Sequence, residues 1–416
     1  MKKQILLFLS LFIFISVKAQ VITDTVSTGA GYSNQVWYSL QNDNQGSAAK
    51  NNWDIAIDTR TMGMTFLINS VTGTQLWSYP NADTTGWATL DTNGLSTWTP
   101  KWNSDTSWDA GAFDRYLNPL NEYDAGWGNY NPLGHTVTGD TIYIVKLASG
   151  SYKKCWIQSL AGGVYTIRFA GLGGESDTTI QVNKADYAGK NFVYCNLSTA
   201  EIIDREPAAA SWDLLFGQYT TFIPQAYPVT GVLSNGKVLV AKAAGLADAS
   251  TYNSWNDHTF SKHINTIGYD WKKFADGVFQ IEDSLAYFVK DRQGAIWKLI
   301  FTGFGGSANG NYIFTKEKIS AASIETAGNT ALTSLTVYPN PSIDKNITLV
   351  IDLEAATTNA LISIIDLSGK SVYQRSFTAP QGLQTQSLHL NNLTAGLYMI
   401  SVDINGQKAW QKLIIQ

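Results

Sequence analysis

The chain has 416 residues, of which 44% are hydrophobic, so it is long enough for roughly two to four domains and apolar enough to bury a large core. This composition excludes a chain that is disordered throughout. The formal net charge is −4 and no stretch concentrates basic residues, which argues against a nucleic-acid partner.

The first predicted element is a signal peptide over residues 1–19. Lys2 and Lys3 form a positively charged start, and an apolar run over residues 5–17 follows. The run is short for a membrane-spanning helix, and small residues precede a cleavage point after Ala19. We therefore expect an exported protein with no transmembrane segment.

Two related β units are predicted next, over residues 20–186 and 187–322. The phrases that recur in the same order are NNWDIAID (51–58) with ASWDLLFG (210–217), NQVWYSL (34–40) with NFVYCNL (191–197), IYIVKLASGSYKKCWI (142–157) with AYFVKDRQGAIWKLIF (286–301), and YTIRFA (165–170) with YIFTKE (312–317). Most are short β-rich runs separated by Gly, Asn, Asp and Ser, so each unit is predicted to be rich in β-hairpins. The repeated Trp is most simply a core anchor, and the Asp beside it an acceptor for backbone donors at a turn.

An aromatic-rich stretch, residues 104–131, follows the first Trp-Asp phrase. Its aromatic side chains are Trp108, Tyr116, Tyr123, Trp127 and Tyr130. Aromatic residues at this density either stack on a sugar ring or a porphyrin, or hold a long insertion against the sheet. The aspartates of the same stretch are interpreted as turn residues rather than calcium ligands.

The chain has two cysteines, Cys155 and Cys195. In an exported protein they either pair or remain buried thiols in strands, and their spacing leaves both alternatives open.

Residues 323–334 are predicted to be a linker, because the chain around them is small and polar. The last segment, 335–416, has regularly spaced strand patterns, with turn signals at 368–370 and 405–406, and is predicted to form a small Ig-like β-sandwich. The predicted fold class is therefore all-β, with two related hairpin-rich units followed by this sandwich.

Residues 335–416 resemble the type A C-terminal sorting domain of the type IX secretion system of Bacteroidetes. The matching features are Tyr338-Pro339-Asn340-Pro341, the IIDLSGK turn, the LTAGLY phrase, and Lys412 followed by LIIQ. The resemblance implies passage through the periplasm, export across the outer membrane, and location in the medium or on the outer-membrane surface. It also implies two partners, the type IX secretion machinery and a sortase.

The body of the chain resembles the HmuY-like family of haem-capturing surface proteins. The resemblance rests on the Trp-Asp-apolar strands at 53–56 and 212–215 and on the hairpins Tyr143–Lys154 and Tyr287–Lys298. It implies haem held between two axial His or Met side chains. The candidate haem ligands are His258, His263, Met64 and His135, although no motif matches them to the family's ligands.

Enzyme signatures are missing from the sequence, which has no G-x-S-x-G, H-E-x-x-H or phosphate-binding loop. We therefore predict a non-enzymatic binding protein of the cell surface or medium that captures haem. The alternative is a glycan-binding or adhesive surface protein, suggested by the aromatic-rich stretch and by the 14 Trp residues of the chain.

Overall fold

The computed structural model of the protein describes residues 20–320, 332–353, 355–366, 370–404 and 407–416. The predicted signal peptide, 1–19, lies outside the described residues, and so does most of the predicted linker, 323–334. The chain divides into two compact units, 1–321 and 322–416, which are called the body and the tail below. Both consist almost wholly of antiparallel strands, which confirms the predicted all-β fold class.

The body contains twenty-two strands in its described part. They are β1 (Ile22–Ser27), β2 (Asn34–Ser39), β3 (Asp43–Ala49), β4 (Ile55–Asp58), β5 (Phe66–Ile68), β6 (Gln75–Ser78), β7 (Gly128–Asn131), β8 (Thr136–Gly139), β9 (Tyr143–Lys146), β10 (Tyr152–Ala161), β11 (Val164–Gly171), β12 (Thr178–Asn183), β13 (Phe192–Asn196), β14 (Glu201–Ile203), β15 (Leu214–Phe222), β16 (Ala226–Ser234), β17 (Leu239–Ala244), β18 (Lys272–Ala275), β19 (Val278–Ile281), β20 (Leu285–Lys290), β21 (Ile296–Phe304) and β22 (Asn311–Ser320). One short α-helix, α1 (Gly306–Asn309), precedes β22. Single 3-10 turns lie at Ala30–Tyr32, Ser70–Thr72, Thr84–Ala88, Leu95–Thr97, Lys184–Tyr187, Ala209–Ser211 and Trp255–Asp257.

The strands of the body form two pairs of equivalent sheets. In one pair, β12-β11-β10, continued by β9 beside β10 and by β6 beside β9, corresponds to β1-β22-β21-β20-β17. In the other pair, β14-β13-β4-β5 corresponds to β3-β2-β15-β16. The hairpin β18-β19 is a separate two-stranded sheet, and β7 and β8 extend the sheet that contains β10. The sequence repeat is therefore a repeat of structure.

The two copies exchange strands. The Trp-Asp strand of the first copy, β4, pairs with β13 from the second, whereas β15 of the second pairs with β2 from the first. The first strand of each copy is exchanged as well. β1 of the first copy pairs with β22 of the second, and β12 of the second copy pairs with β11 of the first. On this symmetry the second copy starts at β12, ahead of residue 187.

The registers of the exchanged strands agree residue by residue. Val26 lies opposite Tyr312, and its counterpart Val182 lies opposite Tyr165. Because a slip of one residue would turn every side chain to the other face, this agreement shows that both interfaces are built alike.

The aspartate of each Trp-Asp phrase fastens the exchanged strand. The carboxylate of Asp54 accepts a hydrogen bond from the backbone N–H of Leu197 at 2.8 Å, and Asp213 accepts one from Leu40 at 2.8 Å. In both cases the donor lies just beyond the end of the strand taken from the other copy. The prediction that this Asp serves backbone donors at a turn is confirmed.

Two tyrosines at matching places in the repeat tie a strand to its neighbouring loop. The hydroxyl of Tyr143 on β9 donates to the carbonyls of Phe113 and Gly126 at 3.1 Å, and that of Tyr287 on β20 donates to Ile267 at 3.1 Å. Both rings are fully buried. The largest core of the first copy surrounds Tyr143 and lies between the two sheets to which β9 and β4 belong.

The tail is a sandwich of two sheets. Its strands are β23 (Leu332–Tyr338), β24 (Asn346–Leu353), β25 (Thr357–Ile365), β26 (Ser371–Ala379), β27 (Gly382–His389), β28 (Gly396–Ile404) and β29 (Gln407–Ile415). The sheet β23-β24-β27 and the sheet β26-β25-β28-β29 bury one common core between them. Alternate residues of β24 are buried, as expected for a strand with one face on the core. Seven strands in two sheets agree with the predicted Ig-like sandwich.

Among the described residues, no helix combines the length and the hydropathy that crossing a bilayer would require.

Candidate functional site

A pocket lies where the two exchanged sheets of the body face each other. It offers a volume of about 90 Å³ to water-sized occupants. Half-buried side chains, among them Ser70, Asp105 and Gln218, form part of its lining, so the pocket reaches solvent.

The two halves of the pocket are built from equivalent residues. The pairs are Trp53 with Trp212, Trp37 with Tyr194, Gln35 with Phe192, and Leu67 with Leu233. Each pair comes from matching places in the registers of the exchanged strands. The pocket therefore lies between matching residues of the two copies, and both Trp-Asp phrases contribute their tryptophan to it.

Both tryptophans of the repeated phrase keep an unused hydrogen-bond donor at this pocket. Trp53 is 7% exposed and Trp212 is 2% exposed, and neither indole N–H has a partner within the described protein. The side-chain oxygen of Asn69, which also lines the pocket, has no partner there either. A buried polar group without a partner costs about 1–3 kcal/mol. Two equivalent donors in this state need acceptors from outside the protein, which either ordered water or a bound ligand can supply.

The aromatic-rich stretch 104–131 closes one side of the pocket. The ring of Trp108 packs against the aromatic residues of both sheets, and its N–H donates to the carbonyl of Ser234 at 2.8 Å. The carboxylate of Asp105 accepts from Thr221 of the second copy at 2.6 Å. This part of the insertion therefore bridges the two copies and leaves Trp108 as an additional aromatic wall.

The rest of the insertion holds itself against the first copy. Trp127 is fully buried and donates its N–H to the carbonyl of Met64 at 3.0 Å. Asp114 accepts from the backbone N–H of Phe66 at 3.0 Å, and burial raises its pKa to about 6. These contacts favour the interpretation of the aromatic stretch as an insertion knitted to the sheet.

Arg205 supplies a fixed positive charge beside the pocket. Its guanidinium carbon lies 5.0 Å from the ring centre of Tyr194, 5.4 Å from Trp37 and 5.9 Å from Trp53. The same group donates to the side chain of Gln35 at 2.7 Å. Because the cationic position over these rings is already taken, a second cation is disfavoured there.

Glu206 is a buried acid in the pocket lining. Its carboxylate accepts from the hydroxyl of Tyr194 at 3.1 Å and from the backbone N–H of Asn191 at 3.3 Å. Burial raises the pKa of Glu206 to about 7, and these hydrogen bonds limit the rise. The charge in the wall of the pocket therefore changes near neutral pH.

The four candidate haem ligands lie in separate settings. His135 lies in the turn between β7 and β8, with a backbone φ of 49°, and its Nδ1 is 2.8 Å from the hydroxyl of Tyr130. The Nε2 of His258 is 2.9 Å from the hydroxyl of Tyr252, and its ring packs near Phe288.

His263 is exposed in the loop that follows, and Met64 packs half-buried against the core of the first copy. In the described part of the chain none of the four candidates lines the pocket, and no hydrogen bond or ring contact joins two of them. Haem ligation by these residues stays a prediction.

The two cysteines are free thiols in the core of the first copy, Cys155 on β10 and Cys195 on β13. Burial raises the pKa of both, so neither is a reactive thiolate at neutral pH.

Comparison with known protein families finds a match at the end of the chain. Residues 336–416 are a secretion system C-terminal sorting domain. This confirms the prediction drawn from Tyr338-Pro339-Asn340-Pro341 and the phrases after it. The protein is therefore a secreted or cell-surface product of type IX secretion, and the sorting domain implies contact with that machinery.

The body is not covered by that family model, and the HmuY-like resemblance stays a prediction. No curated protein matches the chain. One similar solved structure is a C-terminally truncated trimeric ectodomain of the C. elegans fusion protein EFF-1, with 8% identity and a TM-score of 0.17 over 96% of this chain and 95% of that one. A structural likeness this weak carries no argument.

Proposed function

We propose that the protein is a non-enzymatic binding protein, delivered to the surface or medium by type IX secretion, that holds a saccharide unit in the pocket between its two copies. The observation that supports this is the pair of equivalent indole donors, Trp53 and Trp212, left without partners among aromatic walls. Sugar hydroxyls both accept and donate hydrogen bonds, and the faces of sugar rings stack on aromatic side chains.

The composition of the lining fits a neutral polyol better than an ion. The free donors of Trp53 and Trp212 are matched by a free acceptor on Asn69. Arg205 already fills the cationic position, and the acid Glu206 disfavours an anion above pH 7. The volume of about 90 Å³ takes one edge of a sugar ring, with the remainder of the glycan towards solvent.

The test is a glycan array probed with residues 20–416, called the full mature chain below, which lacks the predicted signal peptide and keeps the tail. Calorimetry on the glycans retained follows. Trp53→Phe and Trp212→Phe each remove one donor and keep an aromatic ring, and each is expected to weaken binding about tenfold, since a lost hydrogen bond of this kind is worth roughly 1–3 kcal/mol. Trp410→Phe is the matched control, because Trp410 is 43% exposed and lies in the tail. Absence of any retained glycan, or wild-type affinity in both pocket variants, overturns the proposal and assigns the indole donors to water.

Haem capture is the second candidate and rests on the HmuY-like resemblance alone. The pocket is small for a porphyrin, since ligand pockets usually offer about 300–1,000 Å³. The test is a haemin titration of the full mature chain, followed at the Soret band, with alanine variants of His258, His263, Met64 and His135. A saturable shift that one of these variants weakens supports haem, whereas no shift excludes it.

Removal of the tail by a sortase is proposed as the step that separates the body from its sorting domain. Mass spectrometry of the secreted protein tests it, and a product that retains residues 336–416 contradicts it.

A further inference from the structure

A groove of about 600 Å³ lies on the second copy, away from the pocket between the copies. Its floor includes Ile300 of β21 and Thr315 of β22, and Ser250 lies at its side. The volume falls within the range of about 300–1,000 Å³ that is usual for small-molecule sites.

The first copy shows what occupies the equivalent place. Lys154 and Lys298 stand at matching positions of the repeat, and each donates from Nζ to a carbonyl of the loop that crosses its sheet. For Lys154 the acceptor is Trp87, at 2.6 Å, and for Lys298 it is Ser250, at 2.7 Å. Ser250 therefore takes the backbone position of Trp87. Its small exposed side chain stands where the first copy has a buried indole.

The side chains that surround the indole of Trp87 in the first copy, called its seat below, occupy the positions that match the lining of the groove. The indole ring centre lies 4.6 Å from the guanidinium of Arg168, 4.8 Å from the ammonium of Lys154 and 6.4 Å from the ring of Trp156. In the aligned phrases, Arg168 corresponds to Thr315 and Trp156 to Ile300. Both counterparts line the groove, so the groove is the same seat without its indole.

The charged groups around the two seats differ. In the first copy Arg168 and Lys154 contact the indole, and Asp177 pairs with Arg168 at 2.6 Å and accepts the indole N–H at 3.3 Å. The groove is lined instead by the acidic residues Asp248, Asp283 and Glu317 and by one lysine, Lys298. The Asp248 carboxylate also accepts hydrogen bonds from the backbone N–H and the hydroxyl of Ser250, at 2.8 and 2.6 Å. Because Lys298 is itself paired with Glu317 at 3.0 Å, the lining is left with negative charge from its two aspartates. A ligand for this groove therefore combines an aromatic ring with a positive charge.

We propose that the groove binds a small aromatic ammonium compound, with the ring in the seat that Trp87 fills in the first copy and the ammonium towards Asp248 and Asp283. This site is independent of the saccharide site, shares no residue with it, and stands or falls by itself.

The probe is tryptamine, an indole with an ammonium group, titrated into the full mature chain by calorimetry and checked by ligand-observed NMR. Saturable binding is expected, and Ser250→Trp, which gives the second copy the indole of the first, is expected to weaken it at least tenfold. Ser149→Trp is the matched control, because Ser149 is an exposed residue in the β9–β10 hairpin turn and adds the same side chain elsewhere. Asp283→Asn is expected to weaken binding about two- to fivefold, as for an exposed charge pair.

Indole-3-propionate, which has the same ring with a negative charge, is expected to bind at least tenfold more weakly than tryptamine. No saturable binding of tryptamine overturns the proposal. Equal binding by the Ser250→Trp variant, or equal affinity for indole-3-propionate, overturns it as well, because the compound is then held elsewhere or without the aspartates.

Discussion

Replacing Glu206 by Gln is expected to remove a specific part of the pH dependence of stability. The pKa of Glu206 is raised by burial from 4.5 to about 7, so its contribution to the free energy of unfolding is fully present below pH 4.5 and is lost as the pH rises through 7. Between pH 5 and 8.5 the loss amounts to about 2–3 kcal/mol. Glu206→Gln has no charge to bury, so its stability relative to the wild type should improve by this amount over the same interval.

The assay is urea denaturation of the full mature chain at several pH values, followed by the tryptophan fluorescence of the body. Glu201→Gln is the control, because Glu201 lies on the neighbouring strand β14 and is exposed. The difference between wild type and Glu206→Gln isolates this acid from the other buried carboxyls. If that difference stays constant from pH 5 to 8.5, Glu206 is not the buried acid with a raised pKa described above.

Three further outcomes are expected. Asp213→Ala should lower the free energy of unfolding by about 1–3 kcal/mol in urea at pH 5, because the N–H of Leu40 loses its acceptor, and Asp213→Asn should cost less. Deletion of 336–416 should leave the body in the periplasm of a host with type IX secretion, as cell fractionation would reveal; equal export of both forms would contradict this. A thiol reagent should modify Cys155 and Cys195 only in denaturant, and absence of reactive thiols in denaturant would show that they pair in the secreted protein.

The repeat could be predicted from the sequence because it consists of short motifs that recur in the same order. Alternating runs and turn residues determine strands, and the recurrence of Trp-Asp fixes which strands are equivalent. The exchange of strands was not predictable in the same way. NQVWYSL and NFVYCNL have interchangeable patterns, and nothing local decides whether β2 pairs with β4 or with β15. That choice is made by contacts far apart in sequence.

The sequence did not reveal the pocket, because the Trp-Asp motif that predicted buried core residues also supplies the pocket's tryptophans. Trp53 and Trp212 are indeed buried, as an anchor would be, but the absence of a partner for each N–H is a property of the packed structure alone. The twofold occurrence of the phrase was the available signal, but it was interpreted only as a repeat of the fold unit. Glu206 gave no signal, because a single acid after Arg205 carries no pattern.

The crossing of β1 to the far end of the body bears on when the protein acquires its shape during export. Its partner β22 is formed by residues 311–320, so the first strand of the mature chain cannot pair until the last strand of the body is present. Contacts of such long sequence separation form late, since a large loop must close before they gain any pairing energy. We expect the body to stay incompletely folded until residue 320 has left the inner-membrane translocon. Completion of the fold therefore requires that the whole body has reached the periplasm.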